Sequence, residues 1–565
     1  MSGLLDWLNA NDRRKGWRIA VIALVVLSAG LGLRDPWPPD EPALALMSKT
    51  MADSGEWLIP YLAGEPFAGH PPFAIWLQAA FYDATRSMRL SFLLPALLAS
   101  LGTLWLIYDL AKTLWGPRTG RLAATALLCS FQFMVQAHQG HVDAVLMFWT
   151  TLAMYCLLQY MLVEPARRWL SIAGLAMGVG VLTKGVGYLP ALMLLPYIWM
   201  LRQRWPDLPQ GRSPKDFWAL LPPFAFVVLA WALPALGFVS GADDEALDQF
   251  RQDLLINLAG GASIFDPRSG GQPWWYLPVQ ALVLWLPLTL ILPWKFRVWR
   301  DRLRARDPLI GLLLGYILLT LGLFSLLPGK HGVQLLILLP ATALVMAPYM
   351  GGLWWRPGVQ RLSVAVLWLL SLGAIALGLI GHEQELWEGR VPYPADVPNL
   401  IWNFLLTLGV TGIVISFVLR GRPRALGLPT FFFVGWLMLG YWAYPSLNEV
   451  RTSRVVFEEI ETLLPDDARL ATTSWTPQLE LFASRPLRRL ASPDEARHWL
   501  AADADHWLLA DRALVARLVA DSGREWRQHD LPLRHRTDWV LARPVLDGPR
   551  PRAKPSVIDP LPQSQ

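Results

Sequence analysis

Long apolar runs alternate along this chain with short polar connections. They fall near 19–33, 90–111, 122–137, 144–163, 169–183, 186–201, 217–239, 275–293, 308–327, 333–349, 361–380, 399–419 and 428–444. Each is long enough, or nearly so, to cross the hydrocarbon of a bilayer as a helix. The pattern predicts an α-helical polytopic membrane protein of about thirteen spans. Lysine and arginine orient it. The connections holding Arg118 and Arg121, Arg167 and Arg168, Arg202 to Lys215, Lys295 to Arg306, Arg356 and Arg361, and Arg420 to Arg424 all fall on one side. The positive-inside rule makes that side cytoplasmic, together with the N-terminus. The first run follows Arg13, Arg14, Lys15 and Arg18 as in a secretory signal, but it meets Arg34-Asp35-Pro36 rather than a small-residue cleavage site, so it reads as an uncleaved anchor.

An odd number of spans leaves the C-terminal segment outside, and three outer segments are long. The first, 34–89, contains two stretches of helical spacing, Glu41–Ala52 and Phe73–Tyr82, with an apolar and a polar face suited to lying in the membrane interface. The second, 240–274, opens on Asp243-Asp244-Glu245 and ends at Trp274-Trp275-Tyr276, an aromatic belt at the head of the next span. The third changes character after Tyr444: charges return and apolar runs shorten. Helices are expected at 454–464 and 493–502 and strands at 469–473, 506–510 and 539–542, which make a small α/β domain. The expected organisation is a transmembrane domain, 1–444, with its outer loop 34–89, an α/β domain, 445–546, and a tail, 547–565, rich in proline and charge and expected to be disordered.

Composition agrees with the membrane reading. The chain is 54% hydrophobic and only 17% charged, too little charge to solvate a soluble protein of 565 residues. Its formal net charge of +6 does not point to nucleic acid, because the basic residues are dealt out between apolar runs instead of pooled in a stripe. Cys129 and Cys156, the only two cysteines, both sit inside apolar runs, which argues against a disulfide framework or a cysteine metal cluster.

Chemistry-bearing residues gather at the outer ends of the spans. Asp40 and Glu41 are adjacent carboxylates just beyond the first span; helix capping accounts for such acids as readily as catalysis does. The same loop holds His70 before Pro71-Pro72, and a later outer turn carries His138, His141 and Asp143. Ionisable groups at membrane depth are costly and tend to face a cavity with a partner. Thr183-Lys184-Gly185 is a tight outer turn whose lysine runs against the positive-inside trend, so a phosphate or a carboxylate is its expected counter-charge. Pro328-Gly329-Lys330-His331-Gly332 is a second such turn, and the two together suit one anionic head group. His70, His138 and His141 are candidate ligands for a divalent metal, though the three-residue spacing of the last two fixes no third ligand.

In this order, the pieces resemble the GT-C glycosyltransferases of the protein O-mannosyltransferase superfamily, in particular the bacterial branch that transfers aminoarabinose to lipid A. The resemblance is carried by Arg34-Asp35 through Asp40-Glu41, Ser54-Gly55-Glu56-Trp57-Leu58-Ile59-Pro60, Pro71-Pro72 with Trp76-Leu77, Val142-Asp143, Leu182-Thr183-Lys184-Gly185, Trp274-Trp275-Tyr276 and Ser325 through Lys330. It implies a multi-pass protein of the bacterial inner membrane that moves a sugar from a polyprenyl (undecaprenyl) phosphate donor to a lipid A, other glycan or protein acceptor in the periplasm. Asp40, with Glu41 and Asp143, would be catalytic; Lys184, Lys330, His70 and Arg268 would bind the lipid phosphate. The chain departs from the branch at Gly69-His70, where an acid and a lysine are usual, and at Gln334, where a tyrosine is usual. A lipid-linked sugar transporter or flippase is the competing reading; it predicts ionisable groups near the bilayer midplane and a repeated half, and the sequence has neither. A sensor or scaffold would leave Asp40, Lys184 and Lys330 without a shared purpose.

Overall fold

The computed structural model describes residues 17–209, 212–239, 245–258, 271–348, 350–383, 396–420, 424–503, 505–531 and 538–545. The described chain folds as two compact units, one reaching Asn448 and the other beginning at Glu449. Arg268, the acidic run at 243–244 and the tail from 547 lie outside the described residues.

The first unit is helical. Seven helices are long and apolar enough to cross a membrane: Met88–Trp115, Val142–Val163, Pro214–Phe238, Pro308–Leu326, Pro357–His382, Asn399–Val418 and Arg424–Arg451. The expected run at 275–293 is a pair, Tyr276–Leu284 and Leu288–Arg304, bent by 102°. Proline explains the break: Pro287 lies between the two pieces, and proline both lacks an amide donor and crowds the preceding turn. Three expected spans form shorter apolar helices, Trp17–Leu27, Leu189–Arg202 and Gly332–Met346. The run at 122–137 is broken into Pro117–Leu128 and Phe131–Ala137, and the run at 169–183 lies in the helix Arg167–Lys184. Length and composition alone therefore support seven to eight spans among the described residues, against about thirteen expected.

The segment 34–89 forms two helices, Glu41–Ser54 and Phe73–Thr85, joined through a short antiparallel hairpin that pairs Tyr61-Leu62 with Glu65-Pro66. The expected amphipathic character places Leu44, Met47 and Met51 of the first helix against Ala74, Ile75 and Ala79 of the second, and Val142 joins the same cluster. That contact draws the outer helices onto the end of the Val142–Leu158 helix, where Asp143 sits.

The second unit is a five-stranded mixed sheet with helices. We label its strands β1 (Arg469–Thr472), β2 (Leu487–Arg489), β3 (His506–Asp511), β4 (Trp526–Asp530) and β5 (Trp539–Pro544); their order is β2-β1-β3-β5-β4. β1 pairs in parallel with β2 and β3, while β5 runs antiparallel to β3 and β4. Alternate residues of β3 serve two clusters: Trp507 and Leu509 pack with Val456, Phe457 and Ile460, and Leu508 and Ala510 pack with Leu500, Val515 and Leu518. Side chains alternating across a sheet require a core on both faces, and helices supply it.

Candidate active site at converging helix ends

Arg34 and Glu41 organise the entry to the site. The Arg34 guanidinium donates to both Glu41 oxygens, at 2.5 and 2.6 Å, and to the His138 carbonyl at 2.9 Å. Glu41 also accepts from the backbone N–H of Trp37 at 2.8 Å and of Gly140 at 2.9 Å. Both side chains are almost fully buried, at 3% and 4% exposure. Burial alone would raise the Glu41 pKa, but the Arg34 charge and these hydrogen bonds outweigh it and hold the carboxyl below its ordinary value. This corrects the expectation that Glu41 is catalytic: its two oxygens are occupied by four donors, and it does not line the cavity described below. Asn448 supports the same segment by accepting from Asp35 N and Trp37 Nε1 and donating to the Leu33 carbonyl.

Asp40 is different. It stands at the N-cap of the Glu41–Ser54 helix, yet its side chain makes no capping hydrogen bond. Its carboxylate is exposed and lines a cavity of about 680 Å³. That volume falls within the roughly 300–1,000 Å³ usual for small-ligand sites. Pro39, Leu44, Met47, Phe67 and Val142 make its apolar wall, and Asp143, Lys184, His70, His141, Gln136, Gln139, His331 and Gln334 supply polar groups. The Asp40 and Asp143 carboxylates and the Lys184 ammonium, far apart in sequence, thus converge on one cavity.

Helix polarity explains where Asp143 and Lys184 sit. Asp143 occupies the first turn of Val142–Leu158 and Lys184 the last turn of Arg167–Lys184, each at the helix end its charge favours. The two helices pack together, and Lys184 Nζ donates to Asp143 Oδ1 at 2.6 Å. Of the two counter-charges the sequence allowed for Lys184, the carboxylate is present. The turn after Lys184 is held by close backbone approach: a Cβ on Gly187 would come within 2.1 Å of the Gly180 carbonyl carbon.

Gly140 fixes the other side. Its N–H donates to Glu41, and its carbonyl accepts from Gln78 Nε2 at 2.8 Å; Gln78 in turn accepts from Ser48 Oγ at 3.1 Å. A peptide clamped on both sides leaves the following His141 and Asp143 little freedom. Lys330 is 8% exposed and immediately precedes His331, which lines the cavity. Its turn is pinned by Gln132, whose Nε2 donates to the Gly332 carbonyl at 2.8 Å while its Oε1 accepts from Trp285 Nε1 at 2.9 Å. Arg34, Gln78, Gln132 and Gly140 are positioning residues that sequence reading did not single out; only Arg34 stood in a motif.

The histidines divide. His70 and His141 line the cavity. His138 does not: its Nδ1 is 2.7 Å from the Met134 carbonyl, its Nε2 is 3.0 Å from the Val26 carbonyl, and Trp436 packs edge-on against it. This corrects its candidacy as a metal ligand. Among the described residues no three His, Cys, Asp or Glu side chains form a group fit to hold a metal ion.

The chain as a whole has counterparts among known proteins. A dolichyl-phosphate-mannose-protein mannosyltransferase family model matches residues 69–238. The undecaprenyl phosphate-alpha-4-amino-4-deoxy-L-arabinose arabinosyl transferase of Pseudomonas paraeruginosa is 31% identical over 463 residues, covering 78% of this chain and 77% of that protein. The protein of the same name from Edwardsiella ictaluri is 27% identical, covering 65% of this chain and 67% of its own length. In fold, the chain is similar to the crystal structure of ArnT from Cupriavidus metallidurans bound to undecaprenyl phosphate, with a TM-score of 0.72 at 18% identity over 95% of this chain and 99% of that one. The apo form of that protein gives a TM-score of 0.70. With two carboxylates and a lysine converging on one cavity of a GT-C fold, this membrane glycosyltransferase belongs to the undecaprenyl phosphate-alpha-4-amino-4-deoxy-L-arabinose arabinosyl transferase family.

Proposed function

We propose that the chain transfers a sugar, 4-amino-4-deoxy-L-arabinose as in the names of its relatives, from an undecaprenyl phosphate carrier to lipid A on the periplasmic face. The N-terminus is then cytoplasmic and the α/β unit from Glu449 is periplasmic. The observation that carries this reading is the free carboxylate of Asp40, open to the same cavity as the Asp143–Lys184 pair. In a single in-line displacement the acceptor oxygen attacks the anomeric carbon as the bond to the lipid phosphate breaks. Asp40 orients the acceptor, and takes its proton where the acceptor is a hydroxyl. Lys184, Lys330 and His70 offset the charge that grows on the departing phosphate, with Arg268 a further candidate for that role. Asp143 holds Lys184 in place and shapes the acceptor side.

The test is Asp40→Asn in purified full-length protein in nanodiscs, supplied with undecaprenyl phosphate-4-amino-4-deoxy-L-arabinose and lipid A. Transfer is expected to vanish while thermal stability and undecaprenyl phosphate binding persist. Wild-type turnover in the variant would overturn the role of Asp40. Mass spectrometry of envelope lipids from cells with and without the protein identifies the sugar and acceptor by the mass that disappears.

A further inference from the structure

His70 is the polar side chain of the cavity wall whose surroundings least resemble those of a simple ligand-binding cation. The turn Gly69-His70-Pro71-Pro72 leads into the Phe73–Thr85 helix, and Phe67 meets the imidazole edge-on with ring centroids 6.3 Å apart. The ring lines the cavity and makes no hydrogen bond among the described residues. Its charge is felt by three groups: Lys184 at one helix C-terminus, and Asp143 and His141 at the facing helix N-terminus. Asp40, from the Glu41–Ser54 helix, and His331, from the outer turn after Lys330, complete the ionisable lining. Burial first, and the Lys184 charge second, press the imidazole down to about 4, against the weaker pull of Asp143. Both influences favour the neutral imidazole near pH 7.

A phosphodiester changes that balance. Its single negative charge offsets Lys184 and gives His70 an acceptor, and both effects favour the imidazolium. The reaction then adds charge: when the bond from the anomeric carbon to the phosphate oxygen breaks, the electron pair stays on oxygen and a diester monoanion becomes a monoester whose second proton has a pKa near ~6. We propose that His70 is a proton donor to the departing lipid phosphate, taking up one proton as the sugar phosphodiester enters and passing it to the phosphate oxygen as the sugar leaves. The acceptor oxygen forms the new bond to the anomeric carbon, the lipid phosphate departs singly protonated, and His70 returns to its neutral state. This deepens, and rests on, the transferase reading above. It distinguishes His70 from a lysine, which is already charged before the donor arrives and whose binding of phosphate carries no proton uptake near neutral pH.

The experiment measures proton uptake on binding of methyl undecaprenyl phosphate, a phosphodiester that does not itself titrate near neutrality, to the full-length protein in nanodiscs. Calorimetry in two buffers of different ionisation enthalpy gives the protons taken up per lipid bound. Because the bound form holds the proton more tightly than the free form, affinity strengthens as pH falls. The wild-type Kd is expected to rise by up to about a hundredfold between about pH 5.5 and 7.5, one decade per pH unit for a full proton taken up. His70→Gln is expected to bind more weakly, with that pH dependence lost. His70→Lys is expected to bind without pH dependence and to fold wherever the glutamine variant fails to, and its kcat should lack the decline that wild type shows above neutral pH. Equal proton uptake in wild type and His70→Gln, or none in wild type, overturns the role of His70 while leaving the transferase reading standing. Failure of wild type to bind the lipid at all overturns both.

Discussion

Lys184 Nζ donates to Asp143 Oδ1 at 2.6 Å, joining the C-terminal turn of one helix to the N-terminal turn of the helix that precedes it in the chain, at the cavity wall. Both side chains are partly buried, at 16% and 12% exposure, so neither charge is fully compensated by water. The pair ties the two helix ends together and fixes the Lys184 ammonium at the cavity wall.

Removing one member strands the other. Asp143→Asn is expected to cut transfer at least tenfold, and Lys184→Met to weaken undecaprenyl phosphate binding by a similar factor. The double variant should cost less than the two singles combined, with a coupling of about 1–3 kcal/mol in a thermal-stability cycle. Simple additivity would mean that the pair does not act as a unit.

Asp40 and Glu41 are neighbours with opposite fates, and their variants should separate cleanly. Glu41→Gln breaks a buried ion pair and leaves Arg34 without its carboxylate, which is expected to cost about 3–5 kcal/mol of stability. Its signature is loss of folded protein and a lower Tm, whereas Asp40→Asn is expected to lose turnover without losing stability. A stable, inactive Glu41→Gln enzyme would restore Glu41 to the catalytic list.

The same carboxylate makes the fold acid-sensitive. The Glu41 pKa is lowered from 4.5 in the folded protein, so its contribution to stability is fully present above that value and is lost as pH falls through the lower folded value. Thermal melts of wild type should decline on acidification below about pH 4.5, and Glu41→Gln should show a shallower decline over the same window. Parallel declines would place the acid sensitivity elsewhere.

How much of this the sequence revealed depends on the kind of signal each residue leaves. Helices of the outer loop were legible because one face is apolar: Glu41–Ala52 and Phe73–Tyr82 were expected, and Glu41–Ser54 and Phe73–Thr85 formed. In the α/β unit the expected strands were the buried ones, β1, β3 and β5. The missed strands, β2 with Leu487-Arg488-Arg489 and β4 with Trp526-Arg527-Gln528-His529-Asp530, are edge strands whose exposed polar side chains carry no alternation. The convergence of Asp40, Asp143 and Lys184 was legible through the expected topology, which put all three at helix ends on one side of the membrane. The separation of Glu41 from Asp40, and of His138 from His141, was not. Asp40 and His141 are N-caps and His138 is a C-cap, so no helical or strand period fixes where they point, and only tertiary packing decides which residue meets Arg34 or the Val26 carbonyl.

Backbone closeness supplies a test of the Lys184 turn. Gly187→Ala would place a methyl group 2.1 Å from the Gly180 carbonyl carbon, a contact with backbone rather than with a side chain that can rotate away. The turn must open, and Lys184 moves with it. Loss of expression or a large fall in Tm is expected, while Gly237→Ala, where a Cβ meets nothing within 4 Å, is expected to be tolerated. Comparable behaviour of the two variants would show that the close approach is not maintained.

Gln132 tests whether Lys330 acts on the lipid phosphate. The amide bridges two elements, donating to the Gly332 carbonyl and accepting from the Trp285 indole, and it touches neither the cavity nor Lys330 itself. Gln132→Leu keeps the volume and deletes both hydrogen bonds, leaving the Trp285 N–H and the Gly332 carbonyl unpaired at a cost of about 1–3 kcal/mol. The Pro328–Gly332 turn then loses one of its anchors, while the Gln334 bond to the Gly329 carbonyl remains. If Lys330 grips the phosphate in donor and transition state alike, the variant should raise KM for the lipid-linked sugar severalfold with kcat little changed. Gln132→Glu, which keeps an acceptor for Trp285 but removes the donor to Gly332, should reproduce most of the effect. A fall in kcat at constant KM would instead mean that the turn acts on the leaving phosphate only as the bond breaks, and would move Lys330 from binding the donor to stabilising its departure.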